Sequence, residues 1–552
     1  MISRHQGLLG NIEQEFAIGN AVSKVGSEKV KDLMWFHPRD PDIDLDYKLK
    51  NINFSDSILY LYNSFRKKVS FEIGDINLEY RLEKDITSTQ LNEKKEIDIL
   101  SIGSNNWVLS GDKTLDGNTY MANDPHRTIA VPSLRYMVHL VAPGWNVIGG
   151  GEPEISGVSI GHNDYGAWGL TVFRTDGEDL YVYDLNPENI YQYRYKEKWV
   201  DMKVIEENFK IKNKPDRKVK LYYTQHGPVT YIDKENNKAY AIRCAWLEIG
   251  GSPYLASLRM DQAKNWEEFK DACNYSNIPG ENMVWADKMG NIGWQAVGIA
   301  PIRENFSGLV PVPGDGRYEW NNYLEIIKKP SKYNPKTGFI VTANQNLTSD
   351  DYMHWNSIGF LWSDPYRGDR INEKLTLNSK INFEEMQSLQ TDYYSIPARI
   401  LTKYLKPLKF KGIALKAKEK LKKWNYELNP SSIEAAIYVA WENEIKKLAN
   451  EKFIPKKIYR YITEIQLKKI IDWIIAPGDR FGKNSKKSRD AFLRLAFQNA
   501  TNFLIDRLGN DIEKWKYGQK DLKHSYIRHS LSRIVKKEIQ DKLDLGPIAR
   551  GG

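Results

Sequence analysis

The sequence predicts an α+β fold in which a β-rich centre is followed by a helical region. From Ser104 to about Val341, short apolar stretches alternate with turn residues, which is typical of β-strands. After about residue 383 the apolar residues recur at helical spacing instead. The chain has 552 residues, of which 41% are hydrophobic. A chain of that length can form two or three average domains or one large multilayer sandwich.

Three helices are predicted before the strands begin. Apolar residues are spaced for a helix over 11–24, and Gly26 follows as a stop signal. A second short helix is predicted to begin at Ser27, and a third to cover 55–69. Residues 81–96 are polar and charged, which predicts a surface connection ahead of the strands.

The central and last regions contain further predicted elements. The strands of the central region include 106–110, 119–122 and 136–141, with a hairpin turn at 116–118. A helix over 265–274 interrupts these strands. The predicted helices of the last region are 432–450, 459–475 and 489–508, with Gly509 in a cap position.

The charge balance argues against nucleic-acid and membrane partners. A net charge of +9 results from 80 Lys and Arg against 71 Asp and Glu, so both signs are abundant. Lysines concentrate towards the last third, where solvated helix faces explain them better than nucleic-acid binding, and no nucleic-acid motif accompanies them. No apolar run approaches about 20 residues, so no membrane-spanning helix is predicted.

Cysteine content and the first residues leave the compartment open. Cys244 and Cys273 are too few for a disulfide framework or a zinc site, and a single bridge and two buried thiols both remain open. The first six residues lack the charged-then-apolar pattern of a signal peptide.

The most informative stretch is Gly103-Ser104-Asn105-Asn106-Trp107-Val108, in which a serine stands at the start of an apolar strand. Cutting the bond before Ser104 would make this serine a new amino terminus. Its hydroxyl could then act as nucleophile while its α-amine acts as base, because an α-amine titrates at about pH 7.7–8.0. Amino-terminal nucleophiles are a known variant of triad chemistry.

Further segments follow Ser104 in a fixed order and together make the signal specific. In order they are NDPH (123–126), GHND (161–164), AWGLT (167–171), HGPV (226–229), WAD to GNIG (285–293), TANQ (342–345) and YRGDRI (366–371). With these segments the chain resembles the penicillin acylase family, the heterodimeric amidases of the N-terminal-nucleophile hydrolases. The resemblance covers nearly the whole chain. It implies a four-layer αββα sandwich with an added helical region.

The resemblance also implies the reaction. Ser104 matches the nucleophile, freed by autocatalytic cleavage after Gly103, and would hydrolyse a linear amide through an acyl-enzyme without a cofactor. Candidate substrates include β-lactam side-chain amides and N-acyl-homoserine lactones. The other positions matching catalytic residues are Val172 (a backbone N–H donor to the oxyanion), Asn344 (a side-chain donor to it), Arg367 (which organises the amine and the asparagine) and His126 (beside the nucleophile).

The positions matching the substrate pocket are Arg127, Ile160, Leu170 and Arg174. Two arginines stand where a phenylacetyl-specific relative has an aromatic residue. Arginines near the acyl group would suit an anionic or polar acyl group better than a bare phenyl ring. Both could equally point away into salt bridges.

Residues 175–179 match the calcium loop of the family. Calcium prefers several oxygen ligands, so the resemblance implies a structural calcium. The matching positions are Glu13 (with Glu15 close behind), Asp176, the Glu178 carbonyl, Asp179 and Asn356. Asn356 stands where relatives have a carboxylate, and this loss of charge should weaken binding.

Family precursors are longer at both ends, so the chain is expected to be part of such a precursor. The expected parts are a partial α-chain segment with linker (1–103), the nucleophile-hydrolase core of the β chain (104–382) and a mainly helical region that completes the β chain and is truncated at its end (383–552). Cleavage would make the α and β chains a heterodimer. Family members are often exported.

The sequence also contains two other serine motifs and allows one alternative function. Ser159 lies in a G-x-S-x-G sequence. That motif requires a helix directly after it, but the residues that follow here form helices poorly. Ser110 begins an S-x-x-K sequence that leads into a hairpin rather than a helix. The alternative function is a non-catalytic or unprocessed binding or scaffold protein on the same fold.

Overall fold

Two β-sheets face each other at the centre of the molecule, and helices cover their outer faces. The computed structural model describes residues 10–50, 52–67, 70–82, 103–127, 129–248 and 250–552. The first of the two sheets has three strands in the order β2-β1-β21 and the second has seven, in the order β20-β16-β15-β7-β6-β5-β4. Their strands are β1 (Gly103–Leu109), β2 (Tyr120–His126), β4 (Tyr136–Ala142), β5 (Trp145–Gly151), β6 (Ile160–His162), β7 (Gly166–Val172), β15 (Glu281–Asp287), β16 (Ile292–Ala296), β20 (Ser331–Tyr333) and β21 (Phe339–Thr342).

A third sheet lies beside these two and receives the first segment of the chain. Its strand order is β10-β9-β8-β14-β13-β12-β11, and β18 pairs with β8 in parallel. The strands are β8 (Glu178–Asn186), β9 (Asn189–Tyr195), β10 (Lys198–Asp201), β11 (Lys203–Phe209), β12 (Arg217–Thr224), β13 (Gly227–Asp233), β14 (Lys238–Cys244) and β18 (Val312–Pro313). Two small sheets are made of β17 (Pro301–Arg303) with β19 (Trp320–Tyr323), and of β3 (Ala130–Val131), β22 (His524–His529) and β23 (Leu545–Ala549).

Helices flank the central sheets and form most of the last third of the chain. The α-helices of the described residues are α1 (Asn11–Val25), α2 (Ser27–Leu33), α3 (Tyr60–Phe65), α4 (Ser257–Met260), α5 (Trp266–Cys273), α6 (Trp355–Ile358), α7 (Tyr366–Leu377), α8 (Phe383–Gln390), α9 (Ile396–Leu405), α10 (Gly412–Leu421), α11 (Ile433–Phe453), α12 (Leu467–Ile475), α13 (Ser485–Leu508) and α14 (Lys537–Leu543). No helix within the described ranges is long and apolar enough to cross a membrane.

Side-chain contacts establish four layers. Trp107 of β1 packs with Ile371 of α7 and Met386 of α8 on one outer face. On its inner face the same sheet meets the seven-stranded sheet, where Thr171 Oγ1 donates to Thr342 Oγ1 at 2.9 Å. The outer face of the seven-stranded sheet is covered by α5. The α+β class and the αββα layering expected from the sequence are therefore present.

Gly169 of β7 allows the two sheets to approach closely. A Cβ added there would lie 2.2 Å from Asn106 Nδ2 and 2.5 Å from Asn123 Oδ1. These distances are far below a van der Waals contact, so only glycine fits at this position. The close approach brings the strand that ends at Val172 next to β1.

Most predicted elements are found, and two are wrong in extent. The helix predicted over 459–475 begins only at Leu467, and the helix predicted over 55–69 is a 3₁₀ turn, Asp56–Leu59, followed by Tyr60–Phe65. The first prediction was too long because the isoleucines of 458–465 are buried although no α-helix covers them. Residues 68 and 69 of the second lie outside the described residues. Most of the connection predicted at 81–96 lies outside the described residues. Both cysteines are buried free thiols.

Candidate active site

Ser104 is the second residue of the central strand of the three-stranded sheet. Its Cα lies opposite that of Pro125 in β2, and it is only 3% exposed. Asn105 and Asn106 follow it, and β21 pairs with β1 from Asn106 onward. The serine therefore lies just beyond the paired part of β21, where the residues that follow this strand can reach it.

Asn344 is the residue that reaches Ser104. Its Oδ1 accepts from the Ser104 backbone N–H at 2.8 Å, and its Nδ2 donates to Ser104 Oγ at 3.2 Å and to the Val172 carbonyl at 3.2 Å. The amide is oriented because its nitrogen faces two acceptors, Ser104 Oγ and the Val172 carbonyl, while its oxygen faces a donor, the Ser104 N–H. Asn344 has φ +66°, a left-handed conformation that asparagine tolerates better than most residues. The backbone is thus bent where the side chain must turn towards the serine.

Arg367, near the start of α7, holds Asn344 and Ser104 together. Its Nη2 donates to Asn344 Oδ1 at 2.9 Å, and its Nη1 donates to the Ser104 carbonyl at 2.8 Å and to Asn105 Oδ1 at 2.6 Å. Burial lowers the pKa of this guanidinium, while Asp124 and Asp364 act in the opposite direction. A planar guanidinium donates along several fixed directions, which a lysine ammonium does not.

The Val172 N–H points away from the strand beside it. Phe173 N–H donates to Gly280, and the Glu281 carbonyl accepts from Val297 N–H. Val172 and Glu281 are therefore a non-hydrogen-bonded pair of the antiparallel ladder, and the N–H and C=O of Val172 face the opposite side. The Val172 carbonyl accepts from Asn344 Nδ2 at 3.2 Å and from Asn282 Nδ2 at 3.4 Å.

His126 lies beside the nucleophile strand but contacts other residues. Its Nε2 is 2.9 Å from Asp124 Oδ2 and 3.3 Å from Asn105 Nδ2. Asn105 is in turn held by Arg367. The ring is therefore connected to Ser104 through Asn105.

Two polar groups of this site were not among the predicted residues. Asn105 links Arg367 to His126, and its position next to Ser104 was the available signal. Asn282 donates to Thr171 Oγ1 at 3.0 Å and accepts from Trp294 Nε1 at 2.9 Å. It supports the end of β7 from the neighbouring strand, between the two facing sheets, and only the strand pairing reveals it.

The four predicted pocket residues differ in their surroundings. Leu170 is buried and Ile160 is half-buried, and both belong to one apolar cluster. Arg174 is exposed, whereas Arg127 is half-buried. Arg127 Nε is buried and has no hydrogen-bond partner in the described part of the chain.

A buried carboxyl group accompanies Arg127. Glu281 lies opposite Val172 in the ladder and accepts from the Tyr254 hydroxyl at 3.3 Å. Burial raises the pKa of the Glu281 carboxyl to about 7, and the positive charges of Arg127 and Arg135 oppose this shift. The Glu281 carboxyl is thus a buried acid close to two arginines.

The residues predicted to bind calcium surround an arginine. Arg303 donates to Asp179 Oδ2 at 2.7 Å and to Asp176 Oδ1 at 3.1 Å. The carboxyl group from the first segment is that of Glu15, not Glu13. Glu13 is on the exposed face of α1, whereas Glu15 is fully buried three residues after Ile12.

The electrostatics of this cluster follow from its burial. Desolvation, reinforced by Asp179 and Asp176, raises the pKa of Glu15 well above its ordinary value. No three His, Cys, Asp or Glu side chains are arranged to hold a metal ion within the described ranges. The Asn356 carbonyl accepts from Arg303 Nη1 at 2.8 Å. Glu15 Oε1, Asp176 Oδ2 and Asp179 Oδ1 are buried and have no hydrogen-bond partner in the described part of the chain.

The two other serines have structural surroundings. Ser159 is buried, donates to the Gly150 carbonyl at 3.1 Å and is followed by a strand rather than a helix. Ser110 donates to the Gly338 carbonyl at 3.2 Å, and Lys113 donates to the Asn378 carbonyl. Within the described ranges, neither hydroxyl has a basic side chain among its hydrogen-bond partners.

Gly103 is packed against the groups that hold Ser104. A Cβ added to it would lie 3.0 Å from Arg367 Nη2 and 3.2 Å from Asn344 Oδ1. We expect Gly103→Val to displace both groups and to slow cleavage before Ser104 by about 10²-fold, the cost of a displacement near 1 Å. The time course of cleavage on a denaturing gel measures this effect.

The control for this prediction is the order of the cleavage rates of the variants. Gly103→Ala should be cut at a rate between those of the wild type and Gly103→Val, because its neighbours need to move less. A β chain expressed from Ser104 together with the first segment should be as active as the wild type. Cleavage of Gly103→Val at the wild-type rate would contradict the steric argument.

Comparison with known proteins shows the family to which this sequence is similar. A family model described as penicillin amidase matches residues 2–552. Acyl-homoserine lactone acylase QuiP of Pseudomonas aeruginosa is 26% identical over 606 residues, which cover 99% of this chain and 67% of that protein. Penicillin G acylase of Escherichia coli is 30% identical over 283 residues, which cover 51% of this chain and 33% of that protein.

Comparison with solved structures shows that the fold is similar as well. The thermostable penicillin G acylase from Alcaligenes faecalis superposes with a TM-score of 0.64 at 23% identity, covering 75% of this chain and 80% of that chain. This similarity shows a common fold. The chain spans only part of the length of each of the two sequence relatives.

Proposed function

The chain belongs to the penicillin amidase family, and we propose that it hydrolyses linear amides through an acyl-enzyme on Ser104. The observation that carries this proposal is the double contact of Asn344 with Ser104, to the backbone nitrogen at 2.8 Å and to Oγ at 3.2 Å. One amide thereby fixes both the nucleophile and the nitrogen that would become its base.

The first reaction would be cleavage of the chain itself. Ser104 Oγ attacks the Gly103 carbonyl carbon, the Gly103–Ser104 C–N bond breaks, and the nitrogen takes up a proton as the ester forms. Water then hydrolyses the ester, which leaves a carboxylate on Gly103 and a free α-amine on Ser104. The products are the α and β chains of a heterodimer.

The α-amine would then serve as the base in turnover. It keeps Asn344 Oδ1 as a hydrogen-bond acceptor, and the nearby Arg367 guanidinium disfavours the protonated amine. Ser104 Oγ attacks the substrate carbonyl while the α-amine takes the hydroxyl proton and passes it to the leaving nitrogen. Water hydrolyses the acyl-enzyme by the same route and releases the carboxylic acid.

Two donors would stabilise the oxyanion that forms in each step. Asn344 Nδ2 already lies 3.2 Å from Ser104 Oγ, and the Val172 N–H is the second proposed donor. Donors fixed in advance are effective because they need no reorganisation as charge develops.

The acyl group that fits this site carries a hydrogen-bond acceptor. Arg127 has a buried, unpartnered Nε in the described structure, and it shares its surroundings with Glu281. An acyl group with a terminal carboxylate would give that donor a partner, which a phenyl ring would not. A hydrogen bond to a charged group contributes about 1.5–3 kcal/mol.

A matched set of substrates tests both the reaction and the acyl group. We expect glutaryl p-nitroanilide to be hydrolysed with a kcat/KM at least about 10-fold above that of phenylacetyl p-nitroanilide, in line with one charged hydrogen bond. Arg127→Leu should remove this preference.

Two outcomes would contradict this account. A preference for the phenylacetyl amide would exclude the proposed acyl group. The absence of hydrolysis of all amides by a chain that stays uncut would favour a binding or scaffold protein instead.

A further inference from the structure

Arg127 and Glu281 carry opposite charges near each other, yet no ion pair joins them within the described ranges. Arg127 Nε and Glu281 Oε2 are both buried, and neither has a hydrogen-bond partner there. Glu281 is 1% exposed, and its other oxygen accepts from the Tyr254 hydroxyl at 3.3 Å. The positive charge of Arg127 is close enough to oppose the rise in the pKa of Glu281. Buried polar groups nearly always have partners, so a donor and an acceptor left over at one place indicate a ligand that can pair with both.

Arg135 adds a second donor to this place. Its Nη2 lies 3.3 Å from Glu152 Oε1, and the two side chains are only 13% and 5% exposed, so these two charges neutralise each other. Arg135 Nε is buried without a hydrogen-bond partner in the described structure, and its charge also acts on Glu281. The cluster therefore offers guanidinium donors for an anion and one carboxylate oxygen for a cation.

Two strands bring this cluster to the proposed reaction centre. Arg127 directly follows β2, whose last residue is paired with Gly103 of β1. Glu281 is the first residue of β15 and is paired with Val172 of β7. One charged residue is therefore adjacent to the strand partner of the residue before Ser104, and the other is itself the strand partner of the proposed oxyanion donor.

Tyr254 holds Glu281 in place from a strained backbone. It has φ +55°, a costly conformation for a bulky residue that occurs mostly where function requires it. Its N–H donates to the Ile278 carbonyl at 3.0 Å, and its ring belongs to the apolar cluster of Leu170, against which Ile160 packs. The hydroxyl thereby pairs with one oxygen of Glu281, and the apolar side chains around it can contact the methylene groups of an acyl chain.

We propose that the acyl group of the substrate ends in an α-amino acid head group, whose carboxylate binds to Arg127 and Arg135 and whose ammonium binds to Glu281. The proposal rests on the hydrolysis of amides at Ser104 and narrows its substrates to amides with a zwitterionic acyl group. A dicarboxylic acyl group would leave the carboxylate of Glu281 buried without a partner, and an apolar acyl group would leave both charges so, which costs binding free energy. A zwitterionic head group supplies both partners and adds no net charge. γ-Glutamyl amides carry such a head group.

Two p-nitroanilides that differ in one group test the head group. Glutaryl and γ-glutamyl p-nitroanilide have the same chain length and the same terminal carboxylate, and only the second carries the α-ammonium. We expect the purified full chain to hydrolyse the faster of the L and D γ-glutamyl forms with a kcat/KM at least about 10-fold above that of the glutaryl form. This is the effect of one hydrogen bond between charged groups.

Two variants show whether Glu281 is the source of this preference. Glu281→Gln should abolish it, because the change keeps the shape of the side chain but removes the charge that pairs with the ammonium. Glu442→Gln is the matched control. Glu442 of α11 is also an acid whose pKa is raised by burial and which accepts from a tyrosine hydroxyl, that of Tyr438, but it lies in the helical region. This variant should keep the wild-type ratio of the two kcat/KM values.

The same ratio should depend on pH in one direction. Burial raises the pKa of Glu281 to about 7, so below that pH its carboxyl group is protonated and does not pair with an ammonium. The charged or titratable groups that face it are Arg127, Arg135, Glu152 and Tyr254. The ratio should therefore rise between about pH 6 and about pH 8 in the wild type and stay constant in Glu281→Gln. Titration of the nucleophile's own amine affects both substrates alike and cancels in the ratio.

Binding of the free acids separates this proposal from the proposed hydrolysis. Glutamate and glutarate are the acid products of the two amides, and calorimetric titration of the full chain with each of them needs no turnover. We expect glutamate, in the better of its two enantiomers, to bind at least about 10-fold more tightly than glutarate. A chain that shows this difference but hydrolyses none of the amides would contradict the proposed hydrolysis and support the head-group site.

Three results would overturn the proposal. The first is glutarate that binds as tightly as glutamate. The second is a glutaryl amide that is hydrolysed as fast as both γ-glutamyl forms. The third is a Glu281→Gln variant that keeps the wild-type ratio. The first two measurements use the wild-type chain, so they decide the question even if the variant does not fold.

Discussion

Ser104→Ala is expected to remain a single uncut chain and to lose amide hydrolysis by at least about 10³-fold, as expected when a nucleophile that works with its base is removed. The hydroxyl is the attacking group in both proposed reactions, and without cleavage the base is never formed. A denaturing gel measures the cleavage, and hydrolysis of the preferred p-nitroanilide measures the turnover.

Ser110→Ala and Ser159→Ala are the controls for this prediction. Both hydroxyls only donate to backbone carbonyls, of Gly338 and Gly150, so both variants should be cut and active. Turnover that persists in Ser104→Ala would contradict the assignment, and loss of turnover in one of the control variants would move the nucleophile to that residue.

The second large effect is expected for Asn344→Ala. Removing one oxyanion donor costs about 10²–10³-fold in kcat, and Asn344 also orients the nitrogen of Ser104. The loss should appear in kcat more than in KM, because the donor acts mainly on the charge of the transition state. Single-turnover kinetics of the cleaved enzyme measure it.

Backbone strain has to be separated from the lost donor. Alanine at φ +66° is strained, whereas glycine adopts this conformation readily. Asn344→Gly should therefore be more stable than Asn344→Ala but equally impaired in kcat. A glycine variant with wild-type kcat would show that the side chain of Asn344 takes no part in the reaction.

The sequence predicts much of this fold because its signals are local. The helix ends before Gly26 and Gly509 and the strand that contains Ser104 are all indicated by residues close to them in the sequence. The helix predicted over 459–475 was too long because apolar periodicity does not distinguish a helix from buried irregular backbone. Membership of the family was recognisable from the order of short segments along the chain.

The assembly of the site could not be obtained from local signals. Ser104 and Asn344 are 240 residues apart, and their contact depends on the pairing of β1 with β21. The sequence resemblance named both residues but not the contacts of Asn105, Asn282 or Glu281.

The calcium loop shows the same limit more sharply. The resemblance named Asp176, Glu178, Asp179 and Asn356 but not Arg303, which lies in β17, a separate strand later in the chain. Spacing from the buried Ile12 places Glu15 on the inner face of α1 and Glu13 outside it.

The central claim is that the bond before Ser104 is cut and its nitrogen freed. Amino-terminal sequencing of the larger fragment of the purified wild-type chain tests it most directly. The account predicts a single new terminus that reads Ser-Asn-Asn-Trp. A chain that stays at 63.9 kDa after long incubation, or a new terminus at any other residue, would contradict it.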